Sequence, residues 1–537
     1  MKKVGSIIFS LILAGSITSP VFGTDKLANN VILPPTSKKP EIQNSATVLQ
    51  QVEASRQAKA SQRKADKQQK LVPQKIRVYA TGKRPGAYEP KKLTKDQFLT
   101  EFIDARMISF AVGACAGTYV PGGNAAEYNY MREYGWSIHP YKTVTDGVET
   151  NFMIAVNPRL IKGKRYGVLA FRGSSSVGDW KQDFDFKLVP YGGTTVEEFK
   201  KIALSQPQNS SKLPKVHRGF HEFTLGAFNL HADIDGDAKQ DDIIAKLKSD
   251  HNFVLLITGH SLGGAAATLF GERLVSMGVN KEQVPVVTFG APAVGNSAFA
   301  KEYGDKINLI RVRTKHDVVP KVLALTGKYK QFGKEYIFDL SRKASDMSHP
   351  LGNYFDFAFK HYYDVTADGI ANGYMYPPAK KQLVGAGPIV AVMVDGIFEK
   401  DEPPIIVSDL KLLAADEYRA VLPRYVFLAE EKFPEDYTVP EVLQAAKDNA
   451  ADYLIIIKIG RRNIAQNGNY FTNMEQLIFR TKNGSLLSMN NAGSRITYDA
   501  GYVQTAIKDM EKCMTEIKEK LPFVYKVRKD VQDGVKD

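Results

Sequence analysis

The chain has 537 residues, of which 43% are hydrophobic and 24% charged, and it carries a formal net charge of +14. That balance excludes a disordered or collagen-like protein, and the length is enough to bury two cores. Only two cysteines are present, Cys115 and Cys513. They read as buried free thiols, which excludes a disulfide framework.

The N-terminus carries Lys2 and Lys3, an apolar run over 4–17, then Pro20-Val21-Phe22-Gly23. A basic start, an apolar stretch short for a bilayer and small residues behind it predict a secretory signal peptide over 1–23. No cysteine follows to suggest a lipoprotein anchor, and no later segment is apolar enough to span. The expected location is therefore secreted or periplasmic. Residues 24–92 show little apolar periodicity, are rich in Gln, Ala, Lys and Arg, and are punctuated by Pro73, Gly82, Pro85, Gly86 and Pro90. They read as a basic, largely disordered linker. The excess of positive charge over 56–95 suits an anionic membrane or cell wall, although a solvated linker needs no partner. No nucleic-acid partner is expected.

Order is predicted from about Leu93. Helical spacing covers 98–112, and strand-like runs follow at 136–138, 150–156, 166–171, 253–257, 284–289 and 307–312. Strands alternating with helices predict an α/β fold with a mostly parallel central sheet covered on both faces. In such sheets the chemistry lies in the loops at the carboxyl ends of the strands.

Between 253–257 and the small-residue run 264–269 stands Gly259-His260-Ser261-Leu262-Gly263. A G-x-S-x-G pentapeptide at a strand-to-helix turn forces its serine out of both elements, so the hydroxyl of Ser261 stands free above the sheet. Such a nucleophile needs a base and an acid that orients the base. Asp317 follows the strand at 307–312 and precedes Pro320, the acid's place in the order serine, acid, histidine. Two histidines compete for the base. His349 lies in a loop before an aromatic helix, and His361 lies inside or at the end of that helix. A base must reach over the serine from a loop, which favours His349. His260 is expected to pack beneath the turn, His316 only adjoins the acid, and His217 and His221 precede the serine and read as structural.

Upstream, Asp233, Asp235, Asp237 and Asp241 alternate like calcium ligands, but glycine is fourth and Ile244 twelfth in that run. A solvated acidic turn fits better than an EF-hand loop. No metal or cofactor is expected. Downstream, 387–537 reads as a smaller C-terminal α/β accessory domain without a catalytic constellation. It has strands at 388–394 and 453–459, helices at 439–450 and 500–521, and a hairpin of 476–480 with 485–489 through a type I′ turn at Asn483-Gly484.

Phe171-Arg172-Gly173-Ser174, Trp180, Val216-His217-Arg218-Gly219-Phe220, Gly259–Gly264, Phe289-Gly290-Ala291-Pro292 and Asp317-Val318-Val319-Pro320 together resemble the class 3 (fungal-type) lipase family. The resemblance covers roughly residues 95–365 and implies an α/β-hydrolase domain over 93–380. It implies Ser261 as nucleophile, Asp317 as acid and His349 as base. The oxyanion would be held by Ser174 and by the backbone N–H of Leu262. It also implies a lid after Ser174, where Val177, Trp180 and Phe184 recur at helix-like spacing among Asp179, Asp183 and Asp185. A packed turn entering a strand explains Phe184, Phe186 and Leu188 equally well. The implied function is a secreted serine lipase or esterase acting on acylglycerols. Alternatives are a phospholipase A1 on anionic membranes and a non-catalytic envelope-binding protein that uses the lipase-like unit as a platform.

Overall fold

The structure, a computed structural model, describes residues 88–522 apart from 121–122, 124, 175–186, 206–209, 339–348, 398–403, 430–432, 434–436, 464–469 and 497–500. Of the leader and linker expected over 1–92, residues 1–87 lie outside the described residues, as does the lid segment with Val177, Trp180 and Phe184, whereas the last five are tied down: the Tyr88 hydroxyl and the Lys91 N–H donate to Asp368 at 3.0 and 2.7 Å.

A seven-stranded sheet forms the first unit, with strands in chain order: β1 (Ser137–Thr145), β2 (Val148–Ile161), β3 (Lys164–Phe171), β4 (Phe253–His260), β5 (Val286–Phe289), β6 (Leu309–Thr314) and β7 (Lys334–Phe338). β3 to β7 run parallel, whereas β1, β2 and β3 form an antiparallel meander at one edge. The meander explains why β1 shows only intermediate and exposed residues, while β4, at the centre, is buried at every position. A strand covered on both faces is a continuous apolar run, and 253–257 reads that way.

Alternate residues of β4 serve two layers. Val254 and Leu256 join a cluster with Ile108, Ala111 and Val112 of helix α1 (Lys95–Thr118), while Leu255 and Ile257 pack with Ala266, Ala267 and Phe270 from the opposite face. Thr94 and Gln97 close a capping box at the start of α1, which fixes where this long helix begins. Helix α2 (Ala126–Glu133) follows it, and α3 (Leu262–Ser276) supplies the opposite layer. Helix α4 (Leu351–Ala371) lies beside α1.

A second sheet, from Lys381 onward, has six strands: β8 (Lys381–Gln382), β9 (Val390–Ile397), β10 (Tyr425–Phe427), β11 (Tyr453–Asn463), β12 (Tyr470–Arg480) and β13 (Ser485–Arg495). Their spatial order is β8-β10-β9-β11-β12-β13. Helices α5 (Pro404–Val421) and α6 (Tyr502–Lys520) cover the face turned toward α4. One hydrophobic cluster runs without a break from Val168 and Val254 of the first sheet through Phe355 to Val392, Ile457 and Met510. Asp356 of α4 accepts from the backbone N–H groups of Tyr502 at 3.1 Å and Val503 at 2.8 Å, which caps α6.

The expected hairpin forms, but its turn differs. Arg480 pairs with Ser485, so four residues bridge the strands. Gly484 has φ +69° and Asn483 is not left-handed, whereas type I′ needs both central residues at positive φ. Helix α5 answers to no element expected from the sequence. Its β-branched opening, Ile405-Ile406-Val407, hides the helical period.

Candidate active site

Ser261 sits between β4 and α3 with φ +57° and ψ −125°. A non-glycine residue held there is strained by about 1–3 kcal/mol, and the turn fixes it from both sides. The Ser261 N–H donates to Phe289 O at 2.9 Å, and its carbonyl accepts from Gly264 N–H at 3.0 Å and Ala265 N–H at 3.2 Å. The motif glycines allow the close approach this needs: a Cβ at Gly259 would lie 2.1 Å from Gly263 O.

His349 stands over the serine from the loop before α4. Its Nε2 is 3.0 Å from Ser261 Oγ, and its Nδ1 is 2.8 Å from Asp317 Oδ2. The network requires Nδ1–H to donate to the carboxylate, which leaves Nε2 to accept from the serine hydroxyl. Asp317, three residues past β6, also accepts from Val319 N–H at 2.9 Å and from the hydroxyl of Tyr354. Burial works against its charge, but the bonds from His349, Tyr354 and Val319 outweigh it and hold the carboxyl below the ordinary aspartate value.

Gly173 places the loop after β3 beside Ser261: a Cβ there would be 3.3 Å from Ser261 Cβ. Ser174, half-buried, is the next residue and the last described one of that loop. Leu262 opens α3, so its amide is a first-turn N–H without an intrahelical acceptor.

The other histidines separate cleanly. His260 is buried under the turn, donates from Nε2 to His349 O at 2.9 Å and accepts at Nδ1 from the Tyr119 hydroxyl at 2.9 Å. Burial, with the neighbouring His349, pushes it down to about 3, so it stays neutral. His361 lies inside α4 against the rings of Tyr336 and Phe338, at 5.2 and 5.8 Å, pushed down to about 4 by burial. It is not joined to Ser261. His217 accepts from Phe220 N–H at 3.4 Å and His221 is buried, both upstream of the serine, and His316 is exposed.

In the acidic loop at 233–241, three of the carboxylates are taken up by the loop's own backbone and by neighbouring cations. Asp233 accepts from the backbone of Gly236, Asp237 and Ala238, Asp235 pairs with Arg165 and Lys246, and Asp237 pairs with Lys239. Among the described residues no group of three His, Cys, Asp or Glu side chains could hold a metal. No helix among them is long and apolar enough to cross a membrane.

Sequence reasoning missed Tyr354 and Tyr119. Tyr354, five residues after His349, is reachable in principle, because its helix turns it back toward the loop. Tyr119 carries no such signal, since nothing in the sequence brings the end of α1 to His260.

Residues 168–326 match the family described as "Lipase (class 3)", inside the stretch over which the sequence resemblance runs. Phospholipase A1-II 3 of Oryza sativa subsp. indica is 29% identical over 206 residues, covering 35% of this chain and 46% of that protein. Phospholipase A(1) DAD1, chloroplastic, of Arabidopsis thaliana is 31% identical over 168 residues, covering 30% and 34%. The chain thus spans less than half the length of these curated relatives. A solved triacylglyceride lipase of Rhizomucor miehei is 24% identical, with a TM-score of 0.34 over 44% of this chain and 80% of that one.

Proposed function

We propose that the protein is an exported serine hydrolase of acyl esters in which Ser261, His349 and Asp317 act as a triad. One observation carries the reading: His349 bridges Ser261 Oγ at 3.0 Å and Asp317 Oδ2 at 2.8 Å. Ser261 Oγ attacks the ester carbonyl carbon while its proton passes to His349 Nε2. The tetrahedral oxyanion collapses, the alcohol leaves with the proton from His349, and an acyl-enzyme remains. Water, deprotonated by the same nitrogen, then releases the carboxylic acid and restores Ser261. Asp317 holds the imidazole in the required tautomer and stabilises the imidazolium. The Leu262 N–H and Ser174 are assigned to the oxyanion, where each donor is worth on the order of 3 kcal/mol.

The match to the class 3 lipase family supports lipolytic ester hydrolysis, and acylglycerol is the substrate proposed first. A1-type cleavage of phospholipid is the second reading. The names of the plant relatives and the basic stretch 56–95, which would favour an anionic bilayer, support it. Export rests on the leader over 1–23. Offering p-nitrophenyl esters, triacylglycerols and phospholipids to the mature protein and to Ser261→Ala tests the whole proposal. Equal hydrolysis by the two proteins sinks it and leaves the platform reading, whereas the preferred lipid decides between the first two.

A further inference from the structure

A cleft separate from Ser261 lies where the two units meet, between α1, α2, α4, α5 and α6. Its empty volume, open solvent at the mouth included, is about 780 Å³. Phe110, Met131, Phe355, Phe359, Leu413 and Ile507 make most of its wall apolar. None of Ser261, Asp317 and His349 lines it.

Two features of this cleft go unexplained by the fold alone. Gly113 lies in the middle of α1, where glycine is less favourable to a helix than alanine. A Cβ there would meet nothing within 4 Å, so close packing does not require the glycine; it keeps the cleft open. Glu127 of α2 also lines the cleft, is only 6% exposed, and has no hydrogen-bond partner for either carboxyl oxygen. Gln504 approaches it without completing a bond. Burial raises the Glu127 carboxyl above the ordinary glutamate value, against the opposing pull of Lys508. A buried polar group without a partner destabilises the fold, a cost that a ligand supplying the partner recovers.

We propose that this cleft binds a single-chain amphiphile with an uncharged hydroxyl head, the chain lying along the aromatic wall and the head hydrogen-bonded to Glu127. The lining chemistry selects the head. Glu127, Asp416 and Glu417 all face the cleft and no Lys or Arg does, so no lining cation pairs with the carboxylate of a fatty acid. Asp416 is already held by Arg419 at 2.7 Å and by the Tyr363 hydroxyl at 3.2 Å, and Glu417 is engaged in a contact of its own, which leaves Glu127 as the open partner. A neutral carboxyl both donates to and accepts from a hydroxyl.

Calorimetric titration of the full mature chain with monomeric 1-O-octylglycerol, an ether that no esterase cleaves, tests the site. Saturable binding is expected, at least tenfold weaker in Gly113→Leu and in Glu127→Leu, with octanoate at least tenfold weaker than the ether. Gly113→Leu fills the cleft and should still hydrolyse a soluble ester at the wild-type rate. It tests the cleft by itself if Glu127→Leu does not fold. Absent binding, equal binding by Gly113→Leu, or octanoate bound as tightly as the ether overturns the proposal. Loss of ester hydrolysis in the wild type would instead sink the triad reading, on which this site does not depend.

Discussion

His260 Nε2 donates to the main-chain carbonyl of His349 at 2.9 Å, so the residue before Ser261 holds the loop that carries His349. The two rings lie 4.6 Å apart, centroid to centroid. His260→Phe keeps a ring in that space and removes both hydrogen bonds. It should lower kcat about ten- to a hundredfold with KM for a soluble ester within about threefold, because a displaced base loses rate before binding. Tyr119→Phe should do the same more mildly. Unchanged kcat in His260→Phe would show that the loop is held without it.

The rival histidines are separated by substitution. His349→Ala should abolish hydrolysis, leaving at most a residual rate from oxyanion and binding contacts. His361→Leu should keep it within about twofold, since His361 is packed on Tyr336 and Phe338 away from Ser261. The reverse result would move the base to His361.

Tyr354→Phe removes one of the bonds that keep the Asp317 carboxyl low. An aspartate whose folded pKa is depressed stabilises the fold above its unfolded pKa, near 4, and loses that contribution as pH falls through the folded value. With the hydroxyl gone, the loss should begin at higher pH. The acid limb of kcat/KM should shift upward and kcat should fall several-fold. An unmoved acid limb would show that Tyr354 only fills space.

Asp356→Ala leaves the N–H groups of Tyr502 and Val503 without their cap. The expected cost is about 1–2 kcal/mol, read as a lower midpoint in urea. Removal of 387–537 should be far worse, because it strips α5 and α6 from Phe355 and Ala358. A truncated chain with the midpoint and activity of the whole would show that the units are independent.

Burial holds His221 down to about 3, so the folded chain keeps it neutral while the unfolded chain protonates it below about 6.5. The unfolded state then binds more protons, so stability drops by about 1.4 kcal/mol for each unit that the pH is lowered between those values. Asp409, pushed up to about 7 by burial, acts in the opposite sense, so the net slope of the wild type is not the test. The difference in stability between wild type and His221→Leu, measured by denaturant from pH 7.5 to 5, should shrink as pH falls. A constant difference would contradict a neutral buried His221.

Much of this site is legible in sequence because its chemistry is punctuated by backbone. Ser261 needs glycines at fixed places, Asp317 follows a strand and precedes a proline, and a loop histidine is preferred to a helical one. Contacts that join distant elements leave no such mark. Tyr119 reaches His260 across 141 positions, and Asp356 reaches Val503 across 147. The strand pattern likewise gives the parallel core of the first sheet. It does not show that β1 and β2 turn antiparallel, since a strand's alternation is silent about its direction.

Cys115 and Cys513 are both buried, one beneath each sheet's helical layer, and burial raises each thiol to about 12. A thiol that never ionises at neutral pH is inert to alkylating reagents. Yet both belong to the same unbroken cluster. Each sulfur is therefore a native reporter of the layer that hides it, and one shared core predicts that both are labelled at one rate, whereas two rates would show layers that open separately.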